Sequence, residues 1–311
     1  MSGKYNSIFK EGILNGKIII VTGGGTGLGR TLTHELVSLG AVVLISGRRE
    51  AKLKEVAEEI KTIYGPNKCH YAIMNIRDEK QVREVMQGWV KKFGYISALV
   101  NNAGGQFASP AENLPTNGWK AVIDLNLNGT FHVTKAAFDF YLKEHGGAIV
   151  NVILDVRNGK VGTVHSAASR SGIIAMTKSL CLEWAKYGIR INDVVPSKMI
   201  GSGIAGYPEA VWKRRVEQSW RNPAGRMSTE SECANAITFL LTPGAAYVSG
   251  VIVPVTAGGD LRNGDSDDGL FPKESKFPVY LGFEEETFME TLETPEVFRD
   301  LMKTYLKGGK L

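Results

Sequence analysis

The chain has 311 residues, 43% of them hydrophobic and 22% charged, with a formal net charge of +5. That balance suits a globular protein with a sizeable core, and a modest, spread positive charge suits an anionic ligand such as a nucleotide better than nucleic acid. Residues 1–11 contain no apolar run of the secretory kind, the apolar runs at 18–21 and 41–45 are strand-sized and too short to span a bilayer, and Cys69, Cys181 and Cys233 lack metal-ligand spacing and read as reduced core thiols.

In chain order, β-branched apolar runs alternate with helical periodicity. Strands are expected at 17–21, 41–46, 69–74, 98–101, 148–153, 190–195 and 251–255, and helices at 27–39, 50–63, 78–93, 118–144, 166–187 and 228–241. The strand segments are nearly continuous in apolar residues, as required when helices cover both faces of a parallel sheet. The expected fold is an α/β, Rossmann-type doubly wound parallel sheet in one domain over residues 1–259. Two stretches break the rhythm. Residues 199–222, with Gly201, Gly203, Gly206 and Pro208, follow the sixth strand, where a ligand-covering segment belongs. Residues 260–311 form an extension packing on the body or on a neighbouring subunit. It ends in an amphipathic helix that starts at Thr294, Pro295 and Glu296 and carries Val297, Phe298, Leu301, Met302 and Tyr305 along one face.

The first strand runs into Gly23, Gly24, Gly25, Thr26, Gly27, Leu28 and Gly29, followed at once by a helical pattern. A dinucleotide pyrophosphate needs close backbone approach and free N–H groups at a helix start, and glycines supply the turn, the approach and tight packing. About 20 residues on, an NAD site places an acid on the ribose hydroxyls. This chain has Arg48 and Arg49 there instead. Two guanidiniums suit the 2′-phosphate of NADP(H), although the same pair also fits a charged helix start.

These motifs, with Asn101-Asn102-Ala103-Gly104 after the fourth strand and Asn126 in Leu125-Asn126-Leu127, resemble the short-chain dehydrogenase/reductase family over roughly residues 14–259. The resemblance implies that Asn102, Ala103 and Gly104 lie beside the adenosine part of the cofactor, that Asn75 and Ile76 flank the adenine, and that Pro196 to Met199 lie by the nicotinamide. Ser197 stands where glycine is usual.

The catalytic positions depart from that pattern. Leu154 stands near the usual Ser, and on the next helix Ser166 falls at the Tyr position and Arg170 at the Lys position, counting back from Ser171-Gly172. Neither a Leu methyl nor a Ser hydroxyl can act as an acidic phenol. Residues 105–112, 143–147 and 164–168 resemble the peroxisomal trans-2-enoyl-CoA reductases, with the 2,4-dienoyl-CoA reductases as relatives. There the family Tyr lies further along the helix, at Ile174 here, four residues before Lys178. The expected function is NADPH-dependent reduction of an enoyl-CoA or related thioester. The alternative is a non-catalytic or redox-neutral NADP(H)-binding member of the family.

Enoyl reduction needs donors for an enolate oxygen and a proton for the α-carbon. Asn126, Ser166 and Arg170 are candidates for the first role, and Asp155, His165 or water for the second, with His165 equally readable as a structural hydrogen-bonder. Arg157, Lys160, Lys198, Lys213, Arg214, Arg215 and Arg221 are candidates to face the phosphates of an acyl-CoA. The family resemblance implies a homodimer or homotetramer through helices 118–144 and 166–187, with Phe131, Phe138, Ile173, Met176, Leu180 and Trp184 available as interface or core. Gly309-Lys310-Leu311 resembles a peroxisomal address; otherwise the expected place is the cytoplasm.

Overall fold

The apolar runs read from the sequence become seven strands: β1 (Ile18–Thr22), β2 (Val42–Gly47), β3 (Cys69–Ile73), β4 (Ala98–Asn101), β5 (Gly147–Val152), β6 (Ile189–Pro196) and β7 (Ile252–Val255). In the computed structural model, which describes residues 3–199, 222–261 and 277–283, they form one sheet in the order β3-β2-β1-β4-β5-β6-β7. Every pairing is parallel. The helices on its two faces are α1 (Gly27–Ser38), α2 (Glu50–Tyr64), α3 (Glu79–Phe93), α4 (Thr116–Ile123), α5 (Gly129–Ala137), α6 (Lys143–His145), α7 (Val164–Glu183) and α8 (Glu230–Leu241).

Strand alternation splits the core into two layers. Ile19 and Val21 of β1 join Leu32, Leu36, Val56 and Ile237 from α1, α2 and α8. Ile18 and Ile20 turn the other way, to Val82, Met86, Val133 and Leu180 from α3, α5 and α7. The strand order reverses beside β1, and past the C-terminal ends of β1 and β4 lies the place where open α/β sheets form the crevice that binds their ligands.

The helix expected at 118–144 begins earlier, at Thr116, and is interrupted. Five-residue π turns at Asp124–Asn128 and Phe138–Leu142 separate α4, α5 and α6. A π turn inserts one residue into the i→i−4 ladder and re-aims the side chains next to it; the first contains Asn126.

The apolar residues read as interface or core divide unequally. Phe138, Ile173, Leu180 and Trp184 are buried within the single chain, and Phe138 stacks on Trp184 with ring centroids 4.1 Å apart. Met176 is partly buried and Phe131 exposed. Of the three cysteines only Cys233 is a core residue, and Cys69 and Cys181 are partly buried. Residues 200–221, which include most of the segment following the sixth strand with Lys213, Arg214, Arg215 and Arg221, lie outside the described residues, as do residues 294–305, where a terminal helix is expected, and residues 309–311.

Candidate functional site at the C-terminal edge of the sheet

The glycine turn is shaped by two requirements. Gly23 has φ +69°, in the left-handed region that favours glycine. Gly29 lies so close to the turn that a β-carbon there would sit 2.3 Å from the Gly23 carbonyl oxygen and 2.6 Å from Asn102 Nδ2. Thr26 is the extended N-cap of α1 and makes no side-chain capping bond, Gly27 and Leu28 open the helix, and its first turn carries no acidic residue. The positive end of α1 therefore keeps its N–H groups for an anion.

Arg48 and Arg49 follow β2 directly and both are exposed. Arg49 is the N-cap of α2 without a side-chain capping bond. Gly25, on the turn, has Lys52 and Leu53 of α2 within van der Waals reach of its added β-carbon, so the arginine pair stands beside the glycine turn. Beyond β3, the backbone N–H of Asn75 donates to Gln81 Oε1 (2.7 Å), and buried Ile76 packs at Gly129.

The end of β4 is tied to the end of β1. Thr22 Oγ1 accepts from the N–H groups of Asn102 and Ala103, both at 3.0 Å, and Asn102 Nδ2 donates to the Thr22 carbonyl at 2.9 Å. Buried Asn126 exchanges two bonds with Gly105: Nδ2 donates to its carbonyl (2.9 Å) and Oδ1 accepts from its N–H (3.0 Å). The π turn thus holds the chain after Gly104 across the crevice.

Arg170 reaches the same place from α7. A β-carbon on Gly104 would lie 2.5 Å from Arg170 Nη2 and 3.1 Å from Asn126 Oδ1. Burial pulls the Arg170 guanidinium down to about 10, which leaves it charged at neutral pH. Lys178, at the Lys position of the alternative register, is exposed two turns further along α7, and Ile174 packs with Ile153, Ile173 and Val195. The guanidinium, not the lysine, lies beside Gly104.

Thr163, Ser166 and Arg170 fall at i, i+3 and i+7, one stripe of α7 and its N-cap. Thr163 Oγ1, Ser166 Oγ and Arg170 Nε are buried and have no hydrogen-bond partner among the described residues. His165 beside them is fully buried, with both ring nitrogens unpartnered, and meets Phe107 edge-on at 4.6 Å. The expectation of His165 as a structural hydrogen-bonder is therefore not met among these residues. Four neighbouring side chains with unsatisfied buried polar atoms are what a site for a polar ligand leaves open.

Asp155 has a different setting. Its Oδ1 accepts from the backbone N–H and from Nε of Arg157, both at 3.3 Å, and Arg157 also pairs with Asp260. Asp155 therefore serves as an acceptor that holds the Arg157 side chain and the turn after it. Lys160 is exposed and Leu154 partly buried. Pro196 ends β6, and Met199 bridges to Ser228, whose N–H donates to the Lys198 carbonyl at 3.1 Å.

Sequence reasoning missed a buried polar ladder under the site. Asn101, Asn151 and Asp193 stand side by side on β4, β5 and β6. Asn101 Nδ2 donates to Thr134 Oγ1 and to Asn151 Oδ1, both at 2.8 Å. Asn151 Nδ2 donates to Thr177 Oγ1 and to Asp193 Oδ1, both at 3.0 Å, while Thr177 Oγ1 donates to Asp193 at 2.6 Å. Burial raises Asp193 to about 6 despite these bonds. Ser169, also missed, accepts from Asn126 Nδ2 (3.3 Å) and donates to the Ser166 carbonyl (2.9 Å). The signal was present: three apolar strands carry a polar residue at the same height. Among the described residues no His, Cys, Asp and Glu group is placed to hold a metal ion, and no helix is long and apolar enough to cross a membrane.

Comparison with known proteins agrees with this geometry. The family model described as short chain dehydrogenase matches residues 17–205. A Bacillus subtilis protein named a probable 2,4-dienoyl-CoA reductase, (2E)-enoyl-CoA-producing, is 36% identical over 245 residues, 78% of this chain and 96% of that one. The Rattus norvegicus peroxisomal 2,4-dienoyl-CoA reductase, (3E)-enoyl-CoA-producing, is 31% identical over 259 residues, 82% of this chain and 87% of that one. The solved structure of the citronellol catabolism dehydrogenase AtuB of Pseudomonas aeruginosa superposes with a TM-score of 0.74 at 37% identity, covering 82% of this chain and all (100%) of that one. With the sheet order, the glycine turn and the Asn102–Asn126 crevice on one edge, this chain belongs to the short chain dehydrogenase family.

Proposed function

We propose that the chain reduces an α,β-unsaturated acyl-CoA, a trans-2-enoyl-CoA or a 2,4-dienoyl-CoA, with NADPH. The observation that carries this reading is the unpartnered stripe Thr163–Ser166–Arg170 beside Gly104 and Asn126. The relatives named 2,4-dienoyl-CoA reductases support the substrate class. Bound NADPH supplies the hydride. The residues fit it: the glycine turn leaves no room for β-carbons where the pyrophosphate approaches, and Arg48 and Arg49 offer forked, charge-assisted donors to a 2′-phosphate.

A ketone oxygen must take a proton from an acid, and the Ser166 hydroxyl is too weak for that work. A thioester oxygen needs only hydrogen bonds while negative charge gathers on it, and the proton then goes to carbon. Ser166 Oγ and the Arg170 guanidinium are the donors for that oxygen, with Arg170 also facing the nicotinamide ribose. Asn126 holds Gly105 and so keeps the crevice wall in place. The α-carbon takes its proton from water entering between His165 and Asp155. Arg157, Lys160 and Lys198 edge this opening and face the phosphates of the acyl-CoA. We extend the reading to a homo-oligomer that uses exposed Phe131, and to peroxisomal residence, in line with the relative from Rattus norvegicus named a peroxisomal reductase.

The alternative, a non-catalytic or redox-neutral NADP(H)-binding protein, is favoured by one observation, the absence of any phenol at Ser166. NADPH oxidation by the purified protein, with enoyl- and dienoyl-CoAs of several chain lengths and cofactor binding followed by nicotinamide fluorescence, separates the two. Turnover supports the reductase. Tight binding without turnover supports the alternative.

A further inference from the structure

The segment 277–283 crosses the loop that leads into α8. Arg226 Nη2 donates to the Pro278 carbonyl at 2.6 Å, and the same guanidinium forks onto Glu232 at 2.6 and 3.0 Å. Thr229, the N-cap of α8, closes a capping box with Glu232, and its hydroxyl donates to the Tyr280 carbonyl at 2.9 Å. The Gly282 N–H donates to Ser231 Oγ at 3.1 Å, and the Asn6 N–H donates to the Gly282 carbonyl at 2.6 Å. Phe283, only 2% exposed, closes the segment among Tyr5 and His34, with ring centroids 5.0 and 5.1 Å away, and Arg30 at 5.4 Å.

Both ends of this segment lead to the nucleotide crevice. Ser228, one residue before the Thr229 anchor, bridges to Met199 and bonds the Lys198 carbonyl, at the end of β6. Arg30 and His34, which pack on Phe283, belong to α1, whose N-terminus faces the glycine turn. A backbone held at both ends by hydrogen bonds and a buried aromatic side chain restricts the loop it crosses, and the restriction passes one residue on to the Met199 bridge.

We propose that residues 277–283 act as a positioning strap for the cofactor site, with Tyr280 and Gly282 fixing the Thr229–Ser228 corner against Lys198–Met199 while Phe283 seats the strap on the back of α1. This rests on the NADP(H) site described under Proposed function. The strap touches neither cofactor nor substrate. It sets how completely the crevice is organised before the cofactor arrives, so its loss raises the dissociation constant without changing the chemical step.

Gly282→Val in the full chain is the test. A β-carbon at Gly282 would lie 2.1 Å from the Tyr5 ring, so the variant displaces the strap and leaves every residue of the crevice unchanged. NADPH affinity should fall roughly five- to tenfold, the lower range of coupling between separate sites, with kcat at saturating cofactor nearly unchanged. Amide exchange should quicken at 197–199 and 226–232 and stay slow in β1 and β4. Adding Tyr5→Ala, which opens room for the new side chain, should return most of the affinity. Unchanged affinity in a variant whose 226–232 amides have become labile overturns the proposal, as does a loss shared by β1 and β4 or one that Tyr5→Ala leaves in place. Failure of the unmodified protein to bind NADPH is a separate result and overturns the cofactor reading together with the strap's role.

Discussion

The guanidinium of Arg170 lies against the α-carbon of Gly104, so close that a β-carbon there would stand 2.5 Å from Nη2. The contact links the end of β4 to α7 and puts a fixed positive charge where the family pattern expects a lysine. Arg and Lys differ in more than reach: the planar fork has five donors and stays protonated even at about 10.

Gly104→Ala is therefore predicted to push Arg170 out of line. The guanidinium is the far end of a flexible side chain, so the fold should survive and turnover should fall, by roughly a hundredfold if the displacement approaches 1 Å. Steady-state kinetics with a melting curve check this. Undiminished kcat/KM would mean that Arg170 does not act at this position.

Replacing Arg48 and Arg49 together with Ala is predicted to weaken NADPH by roughly tenfold to a hundredfold, the range for lost charge-assisted hydrogen bonds, and NADH much less. Both side chains are exposed, so stability should hardly change. Titration of the two cofactors by fluorescence is the measurement, and equal losses would remove the phosphate-clamp assignment.

Asp193→Asn is predicted to stabilise the protein above pH 6. Burial raises the Asp193 carboxyl to about 6, above its usual value of 3.8. The native state therefore holds a proton that the unfolded chain gives up, and this group's favourable contribution is complete below about pH 4 and lost as pH rises through about 6. Two pKa units correspond to about 3 kcal/mol, an upper bound because the amide leaves its own donor to satisfy. Urea melts of both proteins should converge near pH 4, diverge between pH 4 and about pH 6 and keep an even gap from there to pH 8; the same difference at pH 4 and pH 7 would show that Asp193 does not titrate in that window.

Where one physical signal dominated, the sequence was sufficient. Ile18–Thr22 is buried throughout, and a short β-branched apolar run that ends in glycines fits a covered central strand. The tight turn of Gly23 and the close approach at Gly29 were readable because a strand–glycine–helix order imposes a backbone requirement that few other features share. The interrupted helix at 116–145 was not readable, because a π turn shifts hydrogen bonds while leaving the apolar pattern nearly intact. Phe138 and Trp184 were ambiguous for a related reason: a core stripe and a subunit interface have the same composition, and only the stacked pair in the folded chain separates them. His165 and Ser166 were nameable as candidates, but their unsatisfied state depends on what α7 packs against. The strap joins Asn6, Thr229 and Gly282, and no local pattern carries contacts so distant in sequence.

The most direct test of the central claim follows the hydrogen. The protein is incubated in ordinary water with trans-2-enoyl-CoA and NADPH carrying deuterium at the transferring C4 position, and the acyl product is weighed and its label located. A saturated acyl-CoA with one deuterium on the β-carbon and a solvent proton on the α-carbon is the predicted result, with 2,4-dienoyl-CoA giving singly labelled enoyl-CoA in the same way. Thioesters recovered unreduced and unlabelled, from protein that binds NADPH tightly, would contradict the account.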